Sequence, residues 1–328
     1  DRYGRRPVLM FDVLLFSLLE FACAFAPTLT VLLVLRFAFG VAMGGEWGVG
    51  ASLALESIPV RARGLVSGLL QSGYPCGYFL GAIAYWVVFD VLGLGWRAMF
   101  IVGVLPALLV LYLRSKVPES PVWQAGQAGR QRRSLRDSMC GQWKRLLYMM
   151  LLMMAFNMFS HGSQDMYPTF LKSQLHLQVG AVTVLTMLLN AGAILGGLSF
   201  GAWSERIGRR RAMIVAALLA LPCIPLWTHG GSLVLLGLGA FLIQVMVQGA
   251  WGIVPAYLNE LSPDDVRGTL PGFAYQLGNL LAASTATAQS WLADRSGVNY
   301  ALVMAGWMAA VAVVLALLAW LGPEVRGT

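Results

Sequence analysis

The sequence predicts an all-α polytopic membrane protein, on the basis of three observations. Only 12% of the 328 residues are charged, whereas a soluble domain has about 25%, and the mean hydropathy is +0.70. Apolar runs of about 20 residues recur along the chain, and each can cross a hydrocarbon core of about 30 Å. The period-two alternation that is typical of transmembrane β-strands is not the pattern of these runs.

Short charged loops separate and orient ten predicted membrane spans. The spans are 7–26, 29–54, 65–89, 97–115, 145–171, 179–203, 211–228, 232–258, 269–293 and 299–321. If the loop after residue 54 is cytoplasmic, most of the 23 Lys and Arg residues lie on that side, and only Arg97, Lys172 and Arg295 lie opposite. The positive-inside rule then predicts a cytoplasmic linker and C-terminus. We expect the plasma (inner) membrane and no nucleic-acid partner, because the net charge of +8 comes from loops beside a lipid bilayer.

Two pieces of the sequence recur at one offset. DRYGRR at 1–6 aligns with ERIGRR at 205–210, and ESIPVRARG at 56–64 aligns with ELSPDDVRG at 260–268. Both pairs are 204 positions apart (205 − 1 and 260 − 56). A looser match relates VPES at 117–120 to GPEV at 322–325. Since chance matches rarely share one offset, we predict an internal duplication.

The duplication has a topological consequence. Six predicted spans lie between the two copies of the basic loop, so the repeated unit is six helices and both copies face the same side. The second copy has two spans before its basic loop, and the first has none. We therefore expect ten helices of a twelve-helix protein, with the first two missing. The predicted parts are an N-terminal half, a cytoplasmic linker and a C-terminal half, at 1–115, 116–143 and 144–328.

The basic loops resemble the cytoplasmic G-x-x-x-D-R-x-G-R-R turn of the major facilitator superfamily, whose fold has two parallel-repeat halves. In that family the acidic residue and the arginines of the turn latch the two halves in the outward-open state. The resemblance implies such a latch at Asp1, Arg2, Gly4, Arg5, Glu205, Arg206, Gly208 and Arg209. A glycine permits the tight turn, and a carboxylate can face a helix N-terminus. Any cytoplasmic loop is basic, but that alternative does not explain the shared spacing.

The segment NMFSHGSQDMYPT, residues 157–169, places polar side chains inside a predicted span. A charged residue at a helix centre costs about 2.5–3.5 kcal/mol, so it needs a reason. Asn157, Ser160, His161 and Gln164 share one helical face, and Asp165 lies at its edge.

His161 and Asp165 are four residues apart, close enough for an imidazole–carboxylate contact that can hold a proton near neutral pH. Gly162 and Pro168 predict a local break in this helix, which would free backbone groups to line a cavity. The alternative is a polar packing cluster between helices. A lone histidine would favour that alternative, but seven polar residues in thirteen favour a functional site.

The same segment resembles the N-x-x-S/T-H-x-S/T-Q-D-x-x-x-T hallmark of the fungal Jen-type lactate/pyruvate:proton symporters. It matches at Asn157, Ser160, His161, Ser163, Gln164, Asp165 and Thr169. In that family the Asn, His and Asp of the motif belong to the translocation pathway. The resemblance implies the same pathway here.

Three further elements resemble signatures of these carriers. GGEWG at 44–48, which contains Glu46, resembles the fourth-helix signature of the wider sialate:proton symporter group. Gln276 and Asn279 in AYQLGN resemble an eleventh-helix signature that tunes substrate recognition. Arg36 resembles the fourth-helix R-x-x-x-G element, which is associated with proton coupling. Arg36 and Glu46 lie roughly 15 Å apart along a helix, so each needs another partner.

Two more acidic residues lie in predicted spans. Asp12 lies near a cytoplasmic helix end, so we expect its side chain to reach water. Glu20 lies deeper, and we expect its partner to be in the absent helices.

Together these features predict a proton-coupled importer of a small monocarboxylate, lactate or pyruvate first, that works by alternating access. The proton would bind near His161 and Asp165, and neutral donors with Arg36 would hold the carboxylate. A symporter of sialic acid or a dicarboxylate, and a transporter-like receptor, remain open. An enzyme is not expected, because HExxH and GxSxG motifs are absent from the sequence. We expect a monomer with no cofactor and no metal, since the four cysteines lack metal-ligand spacing.

Overall fold

The computed structural model is helical throughout its regular structure. It describes residues 4–105, 107–121, 123–124, 141–263, 266–296 and 299–324. Over these ranges no strand occurs. The first five helices are α1 Arg5–Cys23, α2 Leu29–Glu56, α3 Arg63–Tyr85, α4 Trp96–Val102 and α5 Ala107–Lys116. The remaining helices are α6 Trp143–Gln164, α7 Tyr167–Ser173, α8 Val179–Ile207, α9 Arg209–His229, α10 Leu233–Leu261, α11 Leu270–Ala282, α12 Thr285–Ser296 and α13 Tyr300–Leu321.

In the described part of the chain, seven helical segments are long and apolar enough to cross a membrane. They are Leu29–Glu56, Val60–Val91, Trp143–Ser173, Val179–Ile207, Arg209–His229, Leu233–Leu261 and Tyr300–Leu321. Each coincides with one predicted span. The second of these ends in a π-helix, Trp86–Val91.

The other three predicted spans differ in form from the seven. The span 7–26 corresponds to α1, while 97–115 is divided into α4 and α5, and 269–293 into α11 and α12. The first division begins at Gly103, directly after the end of α4. A proline follows three residues later in the sequence, and a proline disfavours the helical conformation of the residue before it. At the second division the Thr285 hydroxyl donates a hydrogen bond to the Ala282 carbonyl, a backbone acceptor that the helix end leaves open.

The chain forms two compact units. Unit 1 consists of Asp1–Ile58, Gly77–Gln142 and Ser262–Phe273, and unit 2 of Pro59–Cys76, Trp143–Leu261 and Ala274–Thr328. Most of the predicted linker 116–143 lies outside the described residues. In unit 1, α1 packs against α2 and α5. Leu9, Val13 and Leu53 form the buried centre of this packing.

The centre of unit 2 is α10, which packs against α8 and α9. Every residue from Val247 to Leu261 is buried. Glycines allow α8 to approach this helix closely, because a Cβ atom at Gly192 or Gly196 would meet the backbone of Phe241 or Val245. Small residues at helix contacts are the usual means by which membrane helices approach one another.

A second glycine contact in unit 2 joins α3 to α8. A Cβ atom at Gly68 would meet the carbonyl of Gly197, and one at Gly64 would meet the carbonyl of Gly201. The two helix backbones therefore touch along this line. On the same helix α3, a Cβ atom at Gly73 would have no neighbour within 4 Å.

We predict opposite effects for two glycine substitutions on α3. Gly68→Ala forces the α3 and α8 backbones apart, and overpacking of this kind costs about 1–3 kcal/mol. Gly73→Ala adds a methyl group in open space and should hold or slightly raise stability, because alanine is the better helix former. Thermal unfolding of the purified protein in detergent measures both. Equal melting temperatures for the two variants would contradict the glycine contact.

Candidate functional site

The polar segment of the predicted motif lies where two helices of unit 2 meet. Helix α6 ends at Gln164, Asp165 and Met166 are not helical, and α7 begins at Tyr167. Pro168 lies in the first turn of α7, where its missing N–H leaves no hydrogen bond unmade. The break expected from Gly162 and Pro168 is therefore present in the structure.

His161 and Asp165 form a hydrogen-bonded pair across the end of α6. The distance from His161 Nδ1 to Asp165 Oδ2 is 3.1 Å, and the side chains are 33% and 36% exposed. The pair is thus accessible from outside the unit. A carboxylate beside an imidazole carries one net negative charge while the imidazole is neutral and no net charge once the imidazole holds a second ring proton.

Other motif residues on α6 form a separate network of neutral hydrogen-bonding groups with α10. Gln164 Nε2 donates a hydrogen bond of 3.0 Å to Ser160 Oγ. From α10, Gln248 Nε2 donates to the same hydroxyl at 3.1 Å, and Gln244 Nε2 donates to Ser163 Oγ at 2.8 Å. Both α10 glutamines are buried. The motif therefore belongs to a polar network that two helices share.

Sequence reasoning did not single out Gln244 and Gln248. They lie four residues apart in an otherwise apolar span, so one helical face carries both amides. The four-residue spacing could have pointed to these two glutamines. Only the packing of α10 on α6 shows which residues the glutamines contact. The fully buried Gln289 on α12 was also missed, and its amide donates to the Gly162 carbonyl at 3.1 Å.

The remaining motif residues have other surroundings. Asn157 is buried, and its side-chain amide donates to the Met153 carbonyl of its own helix at 2.9 Å. Thr169 is exposed on α7. The structure therefore joins Ser160, Ser163 and Gln164 in one network and His161 with Asp165 in a separate pair.

The eleventh-helix residues Gln276 and Asn279 are partly buried on α11 in unit 2. Helix α11 lies against α6 here, because a Cβ atom at Gly278 would meet Met153. Trp251 of α10 connects these helices. Its indole donates to the Phe156 carbonyl at 3.0 Å, and its ring lies 6.0 Å from that of Tyr275.

In unit 1, Arg36 has a partner on the neighbouring helix. Its Nη1 lies 2.6 Å from Glu20 Oε2, with side-chain exposures of 44% and 19%. The expectation that Glu20 meets a residue outside this chain is therefore wrong, because the α1–α2 hairpin places it beside Arg36. The guanidinium also lies 4.6 Å from the ring centre of Phe39 and 5.7 Å from that of Phe100.

Glu46 lies on α2 and is partly buried. Asp12 of α1 approaches the preceding residue, since its Oδ2 is 2.8 Å from the position of a Cβ atom on Gly45. That oxygen is buried and has no hydrogen-bond partner among the described residues. The expectation that Asp12 reaches water is therefore wrong, because its side chain turns towards α2.

The first copy of the predicted latch begins α1. Gly4 has φ +101°, which a residue with a side chain rarely adopts. The buried Arg5 pairs with Glu56 at 3.2 Å. Glu119 accepts backbone hydrogen bonds from Arg5 and Arg6 at 2.9 and 3.2 Å, at the positive end of the helix. Asp1 and Arg2 of the predicted latch lie outside the described residues.

The second copy repeats this geometry at α9. Gly208 has φ +97°, and Arg209 pairs with Glu260 through two bonds of 3.0 and 3.3 Å. The Glu324 side chain lies beside Gly208. Glu205 accepts a 2.6 Å hydrogen bond from the backbone N–H of Gly64 at the start of α3, whereas Arg206 is exposed. The common geometry supports the duplication found in the sequence.

Two family models match the chain. Residues 1–139 match the family described as Sugar (and other) transporter, and residues 150–328 match the Major Facilitator Superfamily. The chain belongs to the major facilitator superfamily, whose members are membrane transporters and not enzymes.

Relatives with recorded functions and solved structures agree with this membership. A carboxylic acid transporter protein homolog of Saccharomyces cerevisiae is 31% identical over 90% of this chain, which spans 52% of that protein's length. A probable 4-methylmuconolactone transporter of Cupriavidus pinatubonensis is 30% identical over 100% of the chain and 77% of the relative. The proton:xylose symporter XylE shares the fold, with a TM-score of 0.77 and 20% identity over 100% of this chain and 82% of its own.

We predict that the buried ion pair of Arg209 and Glu260 is needed for stability. Glu260→Gln leaves the arginine charge buried without its counterion, which costs about 3–5 kcal/mol. Arg206→Ala, at an exposed arginine of the same turn, should change stability by less than about 0.5 kcal/mol. Thermal unfolding in detergent compares the two variants. Equal melting temperatures for Glu260→Gln and Arg206→Ala would contradict the stabilising role of the Arg209–Glu260 pair.

Proposed function

We propose that the chain carries out proton-coupled import of a small monocarboxylate, with lactate or pyruvate as the first candidates. The observation on which this depends is the His161–Asp165 pair, which is partly exposed at the end of α6, a helix whose Ser160 and Ser163 accept hydrogen bonds from buried amides of α10. A proton site beside neutral hydrogen-bond donors is what a symporter of a small polar anion needs.

In this proposal His161 and Asp165 bind the proton. The uncharged donors of Gln164, Gln244 and Gln248 replace water around a polar solute without adding charge to the membrane interior. Gln276 and Asn279 are proposed to tune recognition, and Arg36 and Glu46 to belong to the pathway in unit 1. Transport would proceed by alternating access, with the halves 1–115 and 144–328 as its two parts.

The Gly4–Arg5 and Gly208–Arg209 turns are proposed to hold one state of the transport cycle. The buried pairs Arg5–Glu56 and Arg209–Glu260 give each turn a fixed geometry. Glu205, which faces the start of α3, is the group proposed to release when the state changes. We place the protein in the plasma membrane as a monomer.

The substrate class rests on two kinds of similarity. Residues 157–169 resemble the hallmark of the Jen-type lactate carriers. The carboxylic acid transporter protein homolog of Saccharomyces cerevisiae is 31% identical to this chain. A second candidate is a sialic acid or a dicarboxylate. It is favoured by the 27% identity to the Sialic acid transporter NanX of Escherichia coli and to the cis,cis-muconate transport protein of Acinetobacter baylyi.

Uptake of labelled lactate tests the proposal. The chain, with any native residues that precede it, is expressed in cells that lack their own lactate permease. We expect lactate accumulation to be stronger at acidic outside pH. Excess pyruvate should reduce this accumulation, and excess sialic acid should not. Competition by sialic acid or muconate with poor lactate uptake would favour the second candidate. Saturable binding without accumulation would indicate a receptor, and either result would contradict the monocarboxylate symporter.

We predict that His161→Asn strongly reduces acid-driven accumulation. A charge-assisted hydrogen bond contributes about 1.5–3 kcal/mol, so its loss should reduce accumulation about tenfold or more. The control is His176→Asn, at an exposed histidine outside the polar network. His176 has φ +51°, a conformation that asparagine tolerates. Equal accumulation by the two variants would contradict the assignment of His161.

A further inference from the structure

The Arg36 guanidinium of unit 1 is held by one carboxylate and keeps hydrogen-bonding capacity. Its Nη1 donates to Glu20 Oε2 at 2.6 Å, and the guanidinium also interacts with the Cys23 thiol, which together use only part of the five N–H donors of an arginine. The side chain is 44% exposed. Arg36 can therefore accept a second anion, or exchange the first for another.

Two phenyl rings restrict how the guanidinium is oriented. Phe39 lies on the same helix, and Phe100 comes from α4. Aromatic rings beside the guanidinium stabilise the cation and leave its N–H groups for carboxylates. This arrangement suits a bidentate contact with the carboxylate of a small organic acid.

The other charged and titratable groups on α1 and on the helices packed against it either lie far from Glu20 or contact other residues. On α4, Arg97 donates to the Ala26 carbonyl and lies over Trp96. On α1, Cys23 is buried one turn away, and Asp12 lies about two turns away, roughly 12 Å along the helix. On the packed helices α2 and α5 the other titratable residues are Glu46, Glu56, Tyr112, Lys116 and Arg114, the last with a side chain outside the described part.

We propose that the substrate carboxylate replaces Glu20 on Arg36 when Glu20 takes up a proton. This inference rests on the proposed function, and it adds Glu20, which controls access to Arg36, as a proton site in addition to the His161–Asp165 pair. In the exchange, one proton is bound by a Glu20 carboxylate oxygen, the Arg36–Glu20 ion pair breaks, and an ion pair between Arg36 and the substrate forms.

The charge balance gives the physical reason for coupling. Before the exchange the site holds one guanidinium and one carboxylate. Afterwards it holds one guanidinium, the substrate carboxylate and a neutral Glu20. The net charge stays at zero, whereas substrate binding without the proton would leave an extra negative charge within a membrane helix pair, which is costly.

The test compares binding of labelled lactate to purified wild-type protein and to Glu20→Gln, whose neutral amide imitates the protonated acid. Wild-type binding should weaken about tenfold or more between mildly acidic and mildly alkaline pH. Glu20→Gln should lose most of this pH dependence, exchange lactate across the membrane, and accumulate less lactate than the wild-type protein at acidic outside pH. Asp12→Asn, a carboxyl on the same helix, should keep the wild-type pH dependence.

Three results would overturn the inference. They are a Glu20→Gln protein with the wild-type pH dependence, a Glu20→Gln protein that folds but does not bind, and loss of pH dependence in Asp12→Asn alone. If Glu20→Gln does not fold, Glu20→Asp replaces it. The shorter carboxylate should hold Arg36 less well and strengthen alkaline binding, and unchanged binding would overturn the inference. Failure of the wild-type protein to bind or accumulate lactate would instead refute the proposed function.

Discussion

A charged side chain within a lipid bilayer needs a partner from the protein, because no water is available to solvate it. This constraint accounts for the partners of three arginines. Arg5 and Arg209 begin their helices and are buried against Glu56 and Glu260. Arg36, in the first third of α2, meets Glu20 across a helix hairpin. Each of these pairs fixes the register of two helices, and the packing of each unit follows from that register.

The same constraint explains why the proposed transport site is mostly neutral. Its buried members are amides and hydroxyls that form hydrogen bonds between α6 and α10, and the Gln248 Oε1 acceptor has no partner among the described residues. The ionisable pair, His161 and Asp165, lies at the break between α6 and α7, where a third of each side chain is exposed. In the proposed mechanism, the groups that bind the proton are thus accessible, and the α10 amides that solvate the solute are buried.

The sequence predicted the features that depend on local pattern. The helical fold follows from apolar runs, the duplication from one shared offset, and the break near Asp165 from Gly162 and Pro168. The family comparisons confirm the fold. Residues 97–115 and 269–293 were each predicted as one span, because hydropathy alone does not detect a short interruption within an apolar stretch.

The features that the sequence could not supply depend on which helices touch. Glu20 and Arg36 are 16 residues apart, and only the hairpin geometry makes them partners. Gln244, Gln248 and Gln289 look like isolated polar residues in apolar helices until the packing places them against α6. Asp12 was expected to reach water for the same reason, since its contact with α2 is tertiary.

The proposed function requires protons to move together with the carboxylate. Coupled movement is measured by recording the outside pH of lightly buffered cells that express the chain, with any preceding native residues, when lactate is added. We expect the medium to become more alkaline as lactate enters, and we expect His161→Asn to remove most of this change. Lactate entry without a change in outside pH would contradict proton coupling.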